Sequence, residues 1–492
     1  MISNLYDPGL HLFVDDAEVQ DHPGFVRRVQ QAARAQTEPV LLADRPWEGS
    51  AVQMWGSVLY DHEDHLLKMW YFTHGPAGAG NEAQKYICYA TSTDGVKWDK
   101  PELGVFPFQG STANNIVYPT SETRPEHSAL HPWGIIKHDN EKDTTRRYKM
   151  GYYQERQAKV PRAGKSASPE ERRRYFESVL ERHGMYTAHS ADGIHWTLDD
   201  QPSITGAGDG GAIVYDPFEH RFIAVSRRAG TIADHFVLQW KQYRKVVSLS
   251  TSPDFVSWTP MQTVLKPDDF DDERDQFEMM TPFAYGNQYL GLLGVFYTST
   301  GQGAIELATA RGIRRWHRVG RREKLLPIGS PGTWDNGWVS SSLNSPILKD
   351  NILHFWYSGM RRHGSDQKFQ AAIGLATLRK DGFVGMCIGG NGELMTEPVR
   401  VEAPRLFVNA SVFGTKKSSE NGRIRVRLVC DTEVPDGFDL DDCNGLERDD
   451  ETDFKISWGP EGTDLTRFVG KEVRLHFRAD GPAVFYSYRF GS

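Results

Sequence analysis

The stretch STDGVKW at residues 92–98 decides the fold, because the chain repeats it. Near copies stand at 190–196 (SADGIHW) and 251–258 (TSPDFVSW). A degenerate fourth copy, TARGIRRW, covers 309–316, and TLRKDGFV at 377–384 keeps the Asp-Gly turn with a phenylalanine near the tryptophan position. The closing aromatic residues follow one another by 98, 62, 58 and 67 residues. A unit of about 60 residues that recurs five times predicts a repeat architecture.

The same order of short strands precedes every copy of this turn. In the first unit SVLYDHED (57–64) reads as a strand with its turn, LLKMWYF (66–72) as a second strand, and YICYATS (86–92) as a third. Such runs are rich in β-branched and aromatic residues and are bounded by turn residues, which is typical of strands. Three or four strands in each of five units predict an all-β, five-bladed β-propeller over residues 38–394.

Three further segments complete the predicted domain organisation. SASPEERRRYFESVLERHG at 166–184 has an N-cap serine, a proline at the first helical position and a terminal glycine, which predicts a helical insertion in the second blade at about 155–184. Residues 395–492 alternate apolar and polar positions without the repeated turn, which indicates a C-terminal β-sandwich. Residues 1–37 form an N-terminal segment that is expected to complete the last blade.

Composition excludes several classes of function. The formal net charge of -8 offers no basic face to a phosphate backbone, so we expect no nucleic-acid partner. No run of 18 apolar residues is present, so we expect no membrane span. The four cysteines are scattered without metal-site spacing, and the first residues lack a secretory pattern. These observations favour a reduced, cytoplasmic enzyme, whose oligomeric state they leave open.

The unit pattern resembles the five-bladed propeller glycoside hydrolases of families 32, 43, 62 and 68. The residues that carry this resemblance are KMWY at Lys68–Tyr71 and YATSTDGVKW at Tyr89–Trp98. The chain is more closely similar to uncharacterised bacterial family-32-like proteins, through segments such as RPWEG at 45–49 and the tail FYSYRF at 485–490. The resemblance implies a carbohydrate substrate of fructofuranoside or arabinofuranoside type and a glycosidase activity.

Acidic residues at the starts of the innermost strands are the candidate catalytic groups. Glycoside hydrolysis uses two carboxylates across the scissile bond, one as acid and one as base or nucleophile. Glu48 precedes the first inner strand and Asp209 the third, whereas Asp275 and Glu278 precede the fourth. Three residues apart in a strand, Asp275 and Glu278 point to opposite faces, so only one of them is expected to face the channel. Each acid has the alternative of a structural turn or ion pair.

Other side chains near these positions are candidates for substrate binding. Asp335 starts the fifth inner strand, and aromatic rings suit the apolar faces of sugars, with blade core as their alternative role. Arg227 suits hydroxyl or anionic groups, with a structural salt bridge as its alternative. The candidate binding residues are Asp335, Trp47, His131, Trp133, Arg227 and Trp338.

The sequence leaves three functions open. The leading hypothesis is a glycoside hydrolase that cleaves a small furanoside or oligosaccharide. A glycoside phosphorylase on the same fold requires a basic cluster for phosphate, and a non-catalytic sugar-binding propeller requires no acid. No nucleotide motif is present and no cofactor is expected. A structural divalent cation such as calcium is an alternative reading of the acidic loop at 430–453, against a solvated surface loop.

Overall fold

The computed structural model describes residues 2–3, 5–77, 83–118, 129–155, 168–180, 183–229, 244–361, 370–413 and 422–492. Nearly all regular structure in these ranges is β-strand, as the sequence predicts. The exceptions are one α-helix at Pro169–Leu180 and three single turns of 3-10 helix at Pro46–Glu48, Thr144–Arg146 and Thr466–Phe468.

Five antiparallel units, numbered 1 to 5 here, occupy the larger part of the chain. In units 1 and 3 consecutive strands pair in the order of the sequence. In units 2 and 4 the last two short strands both pair with the third strand. In unit 5 the first two strands both pair with Ile352–Met360, and the outermost strand comes from the N-terminal segment. Unit 1 consists of Ala51–Asp61, Leu66–Ala77, Ala83–Ser92 and Ile116–Tyr118, and unit 2 of Ala129–Lys137, Tyr148–Glu155, His183–Ser190, Thr197–Leu198 and Ile204–Thr205. Unit 3 consists of Gly211–Asp216, Arg221–Ala229, Lys245–Ser252 and Gln262–Leu265, and unit 4 of Gln276–Tyr285, Gln288–Tyr297, Gln302–Ala310, His317–Arg318 and Lys324–Leu326. Unit 5 consists of Trp338–Ser341, Ile347–Lys349, Ile352–Met360, Ala371–Arg379 and Ala33–Arg34.

The units follow one another around a ring. The first strands of units 1 to 4 contact each other in sequence order, and the first strand of unit 5 contacts both unit 4 and the first strand of unit 1. The last strand of unit 5 is Ala33–Arg34, which pairs antiparallel with Thr377 and Ala376. Apolar clusters fill the space between neighbouring units, since each cluster contains side chains from two adjacent sheets. The first strands therefore surround the centre of the ring.

The repeated turn links neighbouring units. Gly95 has φ +81°, a backbone conformation that favours glycine. Its carbonyl accepts hydrogen bonds from Trp98 of its own turn at 3.1 Å and from Trp356 of unit 5 at 3.0 Å. Gly193, at the same position of the second copy, accepts from Trp70 of unit 1 at 2.7 Å. The motif is thus a structural joint between sheets.

The helical insertion lies between the second and third strands of unit 2. Ser168 caps it reciprocally with Glu171: the Ser168 Oγ accepts from the Glu171 backbone N–H at 3.2 Å, and Glu171 Oε2 accepts from the Ser168 N–H at 2.7 Å. This capping box accounts for the start of the helix at Pro169.

Two six-stranded sheets contain the C-terminal residues and share one apolar core. The first sheet consists of Asp450–Ile456, Arg405–Val412, Ala483–Gly491, Val384–Ile388, Val26–Val29 and Leu10–Leu12; the second consists of Val19–Asp21, Gly392–Thr396, Glu472–Asp480, Arg423–Val429, Leu446–Glu447 and Val399–Arg400.

The N-terminal segment has a wider role than the completion of one unit. Residues 1–37 supply Ala33–Arg34 to unit 5, but they also supply three strands to the C-terminal sheets. These sheets begin at Val384, earlier than the predicted boundary at residue 395, which falls inside the strand Gly392–Thr396. Within the described part of the chain, no helix has the length and apolarity needed to cross a bilayer.

Candidate functional site

Charged side chains meet at the centre of the ring, above an apolar plug. The plug is formed by Ala212, Met279 and Leu343, with Trp55 packed against them. It brings together residues of units 1, 3 and 4 and the segment that follows the first strand of unit 5. The polar cluster next to it, called the central cluster below, consists of Asp209, Arg227, Lys245 and Glu278.

Asp209 is held by Arg227. The Arg227 Nε donates to Asp209 Oδ1 at 2.8 Å, and Nη2 lies 2.6 Å from the same oxygen. Burial alone would raise the pKa of Asp209, but the charge and hydrogen bond of Arg227, together with nearby His131 and Lys245, outweigh burial and lower this pKa. A Cβ on Gly210 would lie 2.6 Å from the Glu278 carbonyl oxygen, and one on Gly208 2.3 Å from that of Arg227. The two glycines therefore allow Asp209 to approach both strands.

Glu278 reaches the same arginine through a β-bulge. The register of the first strand of unit 4 shifts between Phe277 and Met279, so Glu278 is the extra residue. Bulges commonly redirect a side chain beside a functional site. The Glu278 carboxylate contacts Arg227 Nη1 and receives Lys245 Nζ at 2.7 Å, with 14% of its side chain exposed. Two basic side chains therefore fix the position of this carboxylate.

Asp275 lies away from the central cluster. Its Oδ1 accepts the backbone N–H of Thr298 at 3.1 Å, and only 5% of the residue is exposed. Burial raises the pKa of Asp275. Of the two acids at the fourth inner strand, the structure thus brings Glu278, and not Asp275, to Arg227.

Lys245 begins the third strand of unit 3, and its ammonium group is buried among charges. Burial lowers the pKa of Lys245 to about 7, and the nearby Arg227 guanidinium acts in the same direction. The Asp209 charge opposes this effect. The charge of Lys245 is therefore sensitive to what occupies the site.

His131 borders the central cluster beside a second lysine. Lys85 Nζ lies 3.2 Å from His131 Nε2, and the ring centroids of His131 and Trp55 are 5.3 Å apart. Burial lowers the pKa of His131 to about 3, and the charge of Lys85 adds to this shift. His131 is therefore a neutral imidazole at physiological pH.

Trp338 lies on the opposite side of the cluster. It lines a small cavity together with Trp55, Arg227, Glu278 and Ser340. Its ring stacks against Phe296 at a centroid distance of 4.9 Å. All five units therefore contribute side chains around the centre, since His131 comes from unit 2 and Trp338 from unit 5.

Glu48 does not join the central cluster, contrary to the expectation for its position. It is fully buried in a network of its own. Its carboxylate accepts the backbone N–H groups of Asp44 at 2.8 Å and Arg45 at 3.0 Å, the Tyr71 hydroxyl at 2.6 Å, and the Lys100 ammonium at 2.7 Å. Groups of the protein itself donate to both oxygens of the carboxylate, so Glu48 has a structural role in this network.

Asp335 occupies a matching structural environment in unit 5. It is fully buried and accepts Arg34 Nε at 2.6 Å, the Thr333 hydroxyl at 2.9 Å and the Tyr357 hydroxyl at 2.9 Å. Because Arg34 belongs to the N-terminal segment, this ion pair fastens the last strand of unit 5. Asp335 therefore offers no free oxygen to a sugar.

Two of the predicted aromatic residues also belong to the interior. Trp133 is fully buried between units 2 and 3, where Gly211 packs against its ring. Trp47 donates Nε1 to Asn115 Oδ1 at 2.7 Å and packs against Phe108. The structure thus assigns both tryptophans to core packing, which was the alternative that the sequence left open.

Lys245 and Lys85 are the members of the site that sequence reasoning missed. Each stands at or near the start of a third strand, in RKVVSL (244–249) and QKYICY (84–89). For Lys245, the available signal was a basic residue at the start of the third strand, next to a second strand that carries Arg227. Lys245 pairs with Ala229, two residues after Arg227.

The acidic loop in the C-terminal part carries several ion pairs. Asp441 lies 3.0 Å from Arg425, and Asp453 pairs with both Lys380 and Arg489. Among the residues that the structure describes, no three His, Cys, Asp or Glu side chains are grouped to hold a metal ion.

Several solved structures are similar to this chain at low identity. One is an N-acetylgalactosamine deacetylase from F. plautii in complex with blood group B trisaccharide, with 16% identity, a TM-score of 0.43, and coverage of 73% of this chain and 96% of the other. A glycosyl hydrolase from Bacteroides ovatus has 15% identity, a TM-score of 0.47, and coverage of 72% and 94%. A β-1,2-mannobiose phosphorylase from Listeria innocua has 12% identity, a TM-score of 0.46, and coverage of 72% and 98%. Similarity at this level assigns neither substrate nor reaction.

No protein-family model matches the chain, and no curated protein sequence matches it.

Proposed function

We propose that the protein is a carbohydrate-active enzyme that hydrolyses glycosides at the centre of a five-bladed β-propeller, followed by a β-sandwich. The five units, with their first strands around one centre and the last unit closed by Ala33–Arg34, support the blade count. The two C-terminal sheets around a shared core support the sandwich.

The observation that supports this proposal is a pair of carboxylates that contact the same arginine. Asp209 and Glu278 come from consecutive units and both contact Arg227; Glu278 and Arg227 line the small central cavity. Two carboxylates facing one site are the requirement of acid- and base-assisted glycoside hydrolysis. Whether the reaction retains or inverts configuration depends on their separation in the substrate complex, about 5–5.5 Å or about 6.5–9.5 Å respectively.

The surroundings of the two acids assign them different roles. Glu278 is held by Arg227 and Lys245, and we assign it the role of base or nucleophile. Asp209 is held by Arg227 alone, and 40% of its side chain is exposed. A bound sugar that excludes water raises the pKa of Asp209, which makes this residue the proton donor to the leaving oxygen.

Two aromatic side chains beside Glu278 are the candidates to contact the ring of the substrate. Trp55 and Trp338 line the cavity beside Glu278 and present apolar surface next to charged groups. Sugar rings offer the complementary combination of apolar faces and hydroxyl edges. The furanoside class follows from the sequence resemblance and is the first class to test.

Glycoside phosphorolysis is the second candidate, and the excess of cations near the site favours it. Arg227, Lys245 and Lys85 face two carboxylates, so the site holds one more positive than negative charge. Phosphate is bound by such clusters. In this reaction phosphate replaces water as the nucleophile, and a single acid suffices.

Turnover measurements with and without phosphate test both candidates. Wild-type protein is assayed on aryl furanosides, aryl pyranosides and fructans, and release of a reducing sugar without phosphate supports hydrolysis. Asp209→Asn and Glu278→Gln are each expected to reduce kcat by about 10²–10⁴-fold. Asp275→Asn is the matched control and retains activity. Binding of sugar without any product, unaffected by the two substitutions, would instead identify a sugar-binding propeller.

A further inference from the structure

A second cleft lies on the outer side of units 3 and 4, away from the central cluster. It has a volume of about 840 Å³, which is in the range of sites that bind small ligands. It shares no lining residue with the central cavity. The residues that matter for its chemistry are Lys266, Asp268, Phe270, Trp316, Arg321 and Arg322.

The charge of this cleft is opposite to that of the whole chain. Lys266, Arg321 and Arg322 face one carboxylate, Asp268, which pairs with Arg322. Neither Lys266 nor Arg321 has an ion-pair partner among the residues that the structure describes, and both are exposed. In a protein with a net charge of -8, two uncompensated cations in one cleft provide local attraction for an anionic ligand.

Phe270 gives the cleft an exposed aromatic wall. The residue is 88% exposed, the highest value among the large exposed hydrophobic residues that the structure describes. The Arg322 guanidinium lies 6.0 Å from the centre of its ring. A flat apolar ring flanked by cations is complementary to a sugar ring that carries anionic groups.

The floor of the cleft is fixed by buried contacts. Trp316 is 6% exposed and donates Nε1 to the Ile313 carbonyl at 2.8 Å. Arg318, also on the lining, is buried and paired with Asp271 and Glu306. The floor of the cleft is therefore part of the packed scaffold.

We infer that this cleft binds an anionic oligosaccharide, with one ring stacked on Phe270 and its acidic groups at Lys266 and Arg321. The inference rests on the proposed function in one respect, the assumption that the protein acts on carbohydrates. It adds a non-catalytic subsite that retains an acidic chain while the central cluster acts on a terminal sugar.

Titration calorimetry with an oligogalacturonate hexamer tests the inference, with a neutral xylohexaose as the matched probe. Wild-type protein is expected to bind the acidic hexamer at least 10-fold more tightly than the neutral one, and to lose this preference in 0.5 M salt. Phe270→Ala, and the double variant Lys266→Ala/Arg321→Ala, are each expected to weaken binding at least 10-fold. The controls are Phe413→Ala, which removes an exposed aromatic ring elsewhere, and Lys97→Ala/Lys142→Ala.

Turnover of a small aryl glycoside separates this inference from the proposed function. All four variants are expected to keep wild-type turnover, because none of them touches the central cluster. Equal binding of both hexamers, or unchanged binding in the Phe270 and Lys266/Arg321 variants, overturns the inference. So does preferential binding of an acidic peptide such as hexaglutamate. Acidic-hexamer binding at Phe270 without any glycoside turnover supports the cleft and contradicts the proposed function.

Discussion

The guanidinium group of Arg227 lies between the carboxylates of Asp209 and Glu278. Its Nε is 2.8 Å from Asp209 Oδ1, and its Nη1 contacts Glu278. Two carboxylates close together would share a proton, since like charges raise one of the two pKa values. Arg227 lies between the two groups and offsets this repulsion, and its charge contributes to the lowered pKa of Asp209.

Substitution of Arg227 tests this relationship. In Arg227→Met the two carboxylates lose their shared cation, and the pKa of Asp209, which Arg227 lowers in the wild type, rises. We expect kcat/KM to fall about 10²–10³-fold and its alkaline limb, which reports the proton donor Asp209, to move to higher pH. A pH–rate profile on an aryl glycoside measures the shift, and Arg221→Met, which alters an ion pair with Asp216 in the same unit, is the control. An unchanged alkaline limb would show that Arg227 does not control the ionisation of Asp209.

Lys245 predicts a pH dependence on the alkaline side. Its pKa is lowered to about 7 by burial and Arg227, so the amine loses its charge as the pH rises through that value. If the charge helps to bind substrate, KM increases above about pH 7, while kcat changes less. Lys245→Arg keeps a permanent charge and is expected to flatten the KM profile. Identical KM profiles in the two proteins would contradict the role of Lys245 in binding.

Glu18 predicts an acid-sensitive contribution to stability. Burial opposes its ionisation, but hydrogen bonds and charges from His11, Arg311 and Asn287 outweigh burial and lower its pKa to about 2, from 4.5. A depressed pKa stabilises the folded state above the unfolded value and loses this effect as the pH falls. The contribution is about 3 kcal/mol, lost between about pH 4.5 and pH 2.

Urea unfolding of Glu18→Gln against wild type measures this contribution. We expect the difference in unfolding free energy to be largest above pH 5 and to shrink steadily towards pH 2.5. The exposed Glu461→Gln serves as the control. A difference that stays constant across this range would show that Glu18 does not couple protonation to folding.

The repeated turn predicts a stability defect far from the site. In Gly95→Ala the new Cβ would lie 2.8 Å from Cζ2 of Trp356, at a φ of +81°. We expect the variant to lose about 2 kcal/mol or more of unfolding free energy, from backbone strain and displacement of the tryptophan. Thr93→Ala, one residue before Asp94 in the same turn, is the matched control because Thr93 is exposed. Equal denaturation midpoints for both variants would contradict the role of the turn as a joint.

Local sequence patterns predicted the strands and turns of the units, but not the strands that the N-terminal segment supplies to the C-terminal sheets. The Asp-Gly turns and the capping serine at 168 act within a few residues, so their consequences can be read directly from the sequence. The strand Leu10–Leu12 pairs with Ser487–Arg489, and Val26–Val29 pairs with Val384–Cys387. Such partners lie hundreds of residues away, and short strands carry no signal that selects among them.

The site shows the same division between local and distant determinants. Asp209 and Glu48 occupy equivalent places before an inner strand, yet only Asp209 faces the centre. The difference arises from Lys100 and Tyr71, which bind Glu48, and their positions depend on the assembled fold. Likewise, the bulge at Glu278 turns this residue, and not Asp275, towards Arg227, and no sequence pattern predicts the bulge.

The pairing of Ala33–Arg34 with Ala376 and Thr377 has a kinetic consequence. Hairpins such as Gly211–Asp216 with Arg221–Ser226 join residues that are near neighbours in the chain and form without waiting for others. Unit 5 and the first C-terminal sheet instead require contacts across more than 340 residues, which raises the contact order of the last folding steps. During synthesis the early strands therefore remain unpaired until the far end of the chain has been made, and closure of the ring is expected to be the slow, aggregation-sensitive stage of folding.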